Sequence, residues 1–148
     1  MIDRLALWIA TVGPIGRMKH APGTFGSLTA IPLILLTKDR LEFSLGLFVL
    51  FLIIGIWSSD RAARTLNLHD PSVVVIDEVC GMLVTFLFVP IHWVSLLIGF
   101  ALFRFFDVLK PPPIRFLEKA PGGVGIVLDD IGAGLYSNLL LQLILLYA

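Results

Sequence analysis

The chain of 148 residues is poor in charge, with only 15% Asp, Glu, Lys and Arg, and it holds a single cysteine, Cys80. One cysteine excludes an intrachain disulfide framework. Lys and Arg total 11 and Asp and Glu total 11, so the net charge is zero and nothing points to a nucleic-acid or other polyanionic partner. No small-residue cleavage site follows the short apolar run Leu5–Ile9, so Met1–Ala10 does not read as a removable signal peptide. Internal repeats, low-complexity segments and linkers are also lacking, and the chain reads as one domain, 1–148.

What is abundant is apolar surface. Hydrophobic residues make up 57% of the chain and its mean hydropathy is +0.95. A soluble domain is nearer 45–50% apolar and about 25% charged. So short a chain cannot hide that much apolar surface from water. The composition therefore predicts an all-α, polytopic membrane protein.

The apolar runs, each extended by a polar turn, predict five helices over about 24–37, 42–60, 77–90, 92–109 and 129–147. A bilayer core needs roughly 20 helical residues, so the first and third are marginal spans. Gly and Pro between Val12 and Thr24 preclude a regular helix there. Five alternating crossings put the N-terminal segment and the 58–76 and 110–128 connections on one face. Nine of the 11 basic residues (Arg4, Arg17, Lys19, Arg61, Arg64, Arg104, Lys110, Arg115, Lys119) fall there, and Lys38 and Arg40 fall opposite. The positive-inside rule makes the first face cytoplasmic.

Four polar clusters share that face. His20-Ala21-Pro22-Gly23-Thr24-Phe25-Gly26-Ser27 runs into an apolar helix, where Thr24 or Ser27 can cap and free N–H groups can hold an anion. His69-Asp70-Pro71 precedes Asp77-Glu78, two acids heading a helix, where the partial positive charge favours them. Arg104, Asp107 and Lys110 are spaced by three along one helix side, which Pro111-Pro112-Pro113 closes. Gly122-Gly123-Val124-Gly125 leads to Asp129-Asp130, again read as acids at a helix start, and then Gly132-Ala133-Gly134, small enough for a neighbouring helix to approach closely. The glycines have no nucleotide-binding spacing.

Asp70, Asp77, Glu78, Asp107, Asp129 and Asp130 are six of the 11 acids, gathered beside Arg104, Lys110 and His69. Like charges at low dielectric repel unless something positive lies between them. An oxygen-rich donor set without a cysteine cluster suits a hard cation such as Mg²⁺, held through carboxylates and a substrate phosphate. Several chemistries are excluded by what is missing. A phosphatase built on Cys80 needs an arginine six residues on, where Phe86 stands. No Asp-x-Asp pair is present, and no Ser–His–acid set is recognisable. Metal-assisted attack by water remains. A rival is a small transporter or channel for protons or divalent cations. Its pathway would need polar groups at mid-membrane, whereas Leu47–Ile54 and Leu96–Ala101 are apolar. A non-enzymatic scaffold would leave the clustered acids without a purpose.

The four motifs, His20 to Ser27, Val74-Val75-Ile76-Asp77-Glu78-Val79-Cys80-Gly81-Met82, Phe103-Arg104-Phe105-Phe106-Asp107-Val108-Leu109-Lys110-Pro111-Pro112-Pro113-Ile114 and Gly122 to Gly134, together resemble the phosphatidylglycerophosphatase A family. The resemblance runs in order from about residue 20 to 135. It implies a Mg²⁺-dependent lipid phosphatase of the bacterial inner membrane, multi-pass with its site facing the cytoplasm. The substrate is then phosphatidylglycerophosphate, and the products are phosphatidylglycerol and inorganic phosphate. By similarity Asp77, Glu78, Asp107, Asp129 and Asp130 are the essential acids, with Lys110 and Arg104 beside them. The metal is expected on Asp77 or Glu78 together with Asp129 or Asp130. Thr24, His69, Arg104 and Lys110 are the expected phosphate-binding residues.

Overall fold

A computed structural model describes residues 1–147. Among the described residues the chain is wholly helical, with no strand. The helices are α1 (Ile2–Ala10), α2 (Pro22–Thr37), α3 (Leu41–Leu66), α4 (Ile76–Thr85), α5 (Trp93–Leu109), α6 (Ile114–Leu117) and α7 (Gly122–Tyr147), with a 3-10 turn at Ile15–Arg17. The count exceeds the expected five because α1 and α6 are too short to be read as spans.

α7 is the central post: α3, α4, α5 and α6 all pack on it, α1 leans on α3, and α2 covers α4. The core between them holds Val79, Met82, Leu83 and Phe86 of the α4 region, Leu96 and Phe103 of α5, and Ala133 and Leu141 of α7. Outward-facing positions are as apolar as the core. Val49, Leu50, Ile53 and Trp57 of α3, Trp93, Val94 and Leu97 of α5, and Leu135, Leu139 and Leu143 of α7 are all exposed. Contiguous apolar surface on this scale needs a partner other than water. α3 and α7, 26 residues each, are long and apolar enough to cross a membrane.

Three boundaries differ from expectation, the first being α3, which runs on to Leu66 rather than stopping near residue 60. α4 ends at Thr85 rather than Pro90, because Phe88 takes a left-handed conformation at φ 62° and Pro90 follows. At 10 residues, α4 is about 15 Å long, half a bilayer core. α7 begins seven residues before Asp129, so the Gly122–Gly125 stretch is helix and not loop. The glycines there answer to packing. A Cβ on Gly123 would collide with Ile56 O and press on the Asp60 backbone of α3, and one on Gly125 would strike Ala120 O. Asp60 caps the new helix start across the bundle, accepting from Gly123 N at 3.3 Å.

Candidate active site

The first turn of α4 carries Asp77 and Glu78. It is set in place from behind by the 71–75 connection, in which Val75 N donates to Ala10 O at 2.9 Å and Val74 N to Pro71 O at 2.9 Å. α7 brings Asp130 opposite. The helices meet at backbone distance: a Cβ on Gly134 would collide with Gly81 O, and one on Gly81 would lie 2.7 Å from Asp130 O. The close approach expected of the small residues after Asp130 is thus observed, and α4 is the partner. It brings one carboxylate oxygen from each of Asp77, Glu78 and Asp130 within 4.8 Å of the others. Asp77 Oδ1 and Glu78 Oε2 are buried with no hydrogen-bond partner. Buried polar atoms are rarely left so.

α5 supplies the cations. Arg104 donates to Asp107 Oδ2 at 2.6 Å, one turn on, and also reaches Ser27 Oγ of α2 at 3.4 Å. Lys110 ends α5 in the left-handed region at φ 45°, its own N–H donating to Phe106 O at 2.8 Å. That turn swings its side chain to α7, where Nζ meets Asp129 Oδ2 at 2.6 Å and Glu118 Oε2 at 3.3 Å. Burial alone would lower the Lys110 pKa, but the hydrogen bond and charge of Asp129, with Glu118 behind, hold it well above the ordinary lysine value. Lys110 is therefore a fixed positive charge.

These groups line one cleft of about 280 Å³, along with Asp70, Pro71 and the start of α2 at Ala21, Pro22 and Gly23. Six carboxylates (Asp70, Asp77, Glu78, Asp107, Asp129, Asp130) face two cations there. The uncompensated negative charge and the orphaned oxygens fit a divalent cation with oxygen ligands.

The structure sorts the expected residues. Asp77, Glu78, Asp107, Asp129, Asp130, Arg104 and Lys110 come together. Asp129 is not grouped with the three-carboxylate set: one of its oxygens is taken by Lys110 and the other by Asp130 N, at 3.0 Å. Asp129 and Asp130 also lie two turns inside α7 rather than at its start, so a helix N-terminus does not stabilise them. His69 is exposed and lines a separate cleft with Asp60, Arg64 and Asn67; being next to Asp70 in the chain did not bring it to the site. Thr24 is half-buried in the first turn of α2, and neither it nor Ser27 caps the helix. Ser27 Oγ donates back to Gly23 O at 2.8 Å. What α2 offers the cleft is backbone: its first helical bond is Phe25 N to Ala21 O, leaving the N–H groups of Gly23 and Thr24 free.

Three contributors escaped the sequence reading. Glu118 had no motif to mark it, although it is the one acid between Lys110 and Asp129. Ser27 looked like a cap and is instead a rest for Arg104. Gly23 looked like part of a turn, yet a Cβ there would collide with Glu78 Oε1 and crowd Arg104 at 3.3 Å. No feature of the sequence separates that need from ordinary turn chemistry.

Comparison with known proteins identifies the family. Residues 8–145 match the family model described as Phosphatidylglycerophosphatase A. A Haemophilus influenzae protein named phosphatidylglycerophosphatase A is 37% identical over 126 residues, 82% of this chain and 77% of its own length. The Escherichia coli protein of the same name is 37% identical over 125 residues, covering 82% and 73%. A Bacteroides thetaiotaomicron protein, named provisionally as a phosphatidylinositol-3-phosphatase, is 38% identical over 146 residues, covering 93% and 91%. No solved structure matches the chain. The matched span takes in all four polar motifs and every helix that lines the cleft, and the chain belongs to the phosphatidylglycerophosphatase A family.

Proposed function

We propose that the chain hydrolyses the phosphate monoester of phosphatidylglycerophosphate, releasing phosphatidylglycerol and inorganic phosphate, at the cleft between α2, α4, α5 and α7. Family membership carries the reaction class, a phosphatase acting on a lipid phosphate monoester. The observation that supports the chemistry is the set of three carboxylates without a cation, Asp77, Glu78 and Asp130. They would hold Mg²⁺, which when bound would act as a Lewis acid on a phosphate oxygen.

The remaining groups have separable tasks. Arg104 and Lys110 take the other phosphate oxygens, and charge fixed in advance costs no reorganisation as the transition state forms. Asp107 aims Arg104, and Asp129 with Glu118 aims Lys110. The free N–H groups of Gly23 and Thr24 add donors at a helix start. The attacking group is a water or one of the acids. Rapid quenching distinguishes them, because only direct attack by an acid leaves a phospho-aspartate.

The placement in the bilayer follows the same reading. We take the cleft to face the cytoplasm of a multi-pass protein in the bacterial inner membrane, with α2, α3, α4, α5 and α7 as the crossing segments. In support, the 37–41 turn and the 86–91 stretch line a common cleft of their own, apart from the acids. That arrangement suits an α4 extended by residues 86–91 to complete the third crossing. A substrate phosphate then meets the acids at headgroup level while its acyl chains remain in lipid.

The Bacteroides relative, matched over 93% of this chain, favours a second substrate: a phosphoinositide carrying its monoester at the inositol 3-position. Phosphate release in detergent micelles decides between the two lipids. We expect release from phosphatidylglycerophosphate that chelation abolishes and Mg²⁺ restores. Faster release from phosphatidylinositol 3-phosphate would transfer the assignment to that lipid. Folded protein with Mg²⁺ that releases phosphate from neither would sink the phosphatase reading.

A further inference from the structure

The acids are on the cytoplasmic ends of α4 and α7 in the reading above, yet the feature that sets their register lies at the far end of α4. α4 stops after 10 residues inside the bundle, which strands its last carbonyls away from water. Leu87 N donates back to Val84 O at 3.2 Å, and one side chain of α7 reaches the same end. Asn138 of α7, itself buried, donates through Nδ2 to Val84 O at 3.2 Å, Thr85 O at 3.0 Å and Leu87 O at 2.7 Å. An amide has two hydrogens, so one is shared between carbonyls. Gln142, one turn on, donates to Asn138 Oδ1 at 2.7 Å and holds the amide in that orientation.

Asn138 is also in line with the site. Asp130, Gly134 and Asn138 are spaced by four and so fall along one side of α7. Each meets α4 at a successive level: Asp130 beside Asp77 and Glu78, Gly134 against Gly81 O, Asn138 at the closing carbonyls. The first two contacts do not fix axial position. The carboxylates repel, and a glycine face permits sliding. Among the described residues the side-chain hydrogen bonds between α4 and α7 are those of the Asn138 amide, which tie one level of α4 to one level of α7 about 12 Å below Asp130.

We propose that Asn138 is a positioning residue for the metal site, setting the register at which Asp130 joins Asp77 and Glu78. The inference rests on the metal-site reading of those three acids. Mg²⁺ demands near-octahedral geometry with short, narrowly defined bonds, so a small slide of α4 removes Asp130 from the set or opens the spacing. Groups that orient ligands without touching the ion typically change metal affinity by about 10–100-fold.

The test is Mn²⁺ binding to the full chain in detergent, read by the EPR signal of the free ion, beside the thermal midpoint without metal. Asn138→Asp has the same size and no amide donor. It should bind Mn²⁺ about tenfold more weakly or worse. Gln142→Leu, which keeps the donor but frees its orientation, should move affinity in the same direction by less, and it serves if Asn138→Asp does not fold. Ser137→Ala removes a neighbouring buried hydrogen bond, Oγ to Ala133 O at 2.7 Å, that does not involve α4. It should lower the midpoint and leave Mn²⁺ affinity unchanged. If Asn138→Asp and Gln142→Leu lose stability but bind Mn²⁺ like the wild type, Asn138 is only structural and the proposal is overturned. Wild-type protein that binds no Mn²⁺ would overturn the metal site itself, and this inference with it.

Discussion

The two walls of the cleft are made of the same residue type and treat it in opposite ways. On the α5 side every carboxylate has a cation: Asp107 is bound by Arg104, and Lys110 is shared by Asp129 and Glu118. On the α4 side Asp77, Glu78 and Asp130 crowd together, and among the described residues no basic side chain comes within ion-pair distance of them. The paired wall is complete as it stands. The unpaired wall is an arrangement the fold keeps at a cost, because like charges repel strongly where water is scarce. Such groups are retained where something positive, brought in from outside, uses them. On the metal-site reading proposed above, the cleft separates work that the protein's own cations do from work given to an added one.

The sharpest way to break this contrast is at Asp130. Asp130→Asn should cut phosphate release on the order of a thousandfold, the several kcal/mol that a Lewis-acid metal supplies. It should also raise the thermal midpoint without metal, because one of three repelling carboxylates is gone. Lower activity together with lower metal-free stability would mean that the acids are not in mutual strain. The paired wall should respond the other way. Lys110→Met leaves Asp129 buried and unmatched, with an expected loss of about 3 kcal/mol by denaturant unfolding and a fall in activity. Adding Asp129→Asn to Lys110→Met should restore most of the stability and none of the activity. Lys110 has its pKa raised by folding, so its stabilising effect is fully present below the unfolded value and would fade only above it. The part of that penalty owed to the Lys110 charge should thus be constant through neutral pH and fade only above about pH 10.

A smaller effect is expected where the walls meet. Gly23→Ala pushes a methyl into Glu78 and Arg104, and it should reduce activity about tenfold with modest destabilisation of about 1–3 kcal/mol. A full-activity Gly23→Ala would show that α2 yields and does not help to define the cleft. The least effect belongs to His69→Ala. Its side chain lines a different cleft, and steady-state kinetics should stay within about twofold of wild type, a change within the small range expected of surface positions. A large loss there would extend the phosphate site beyond the walls described.

Much of this was legible in one dimension because the governing physics is local or compositional. The apolar excess is a property of composition and holds whatever the packing. The i, i+3 spacing of Arg104 and Asp107 dictates their contact on any helix, and the observed 2.6 Å ion pair follows. Punctuation was less dependable. Gly122, Gly123 and Gly125 read as loop but are helix, because the alternative use of glycine, letting backbone approach backbone, has the same one-letter signature. Nearness in the chain misled at His69, whose immediate neighbour Asp70 lines the cleft while it lies outside.

The sequence by itself determined the apolar excess, the helical fabric and the inventory of acids and bases, since these follow from composition, periodicity and helical spacing. Tertiary structure alone decided what each acid is for. Asp129 and Asp130 are chemically identical neighbours, but one residue turns an α-helix by about 100°. That rotation sends Asp129 to Lys110 and Asp130 to Asp77 and Glu78. Which direction each takes depends on where α4 and α5 lie around α7, and for α4 that is set by Gly81 against Gly134 and by the amide of Asn138, contacts between residues some fifty positions apart.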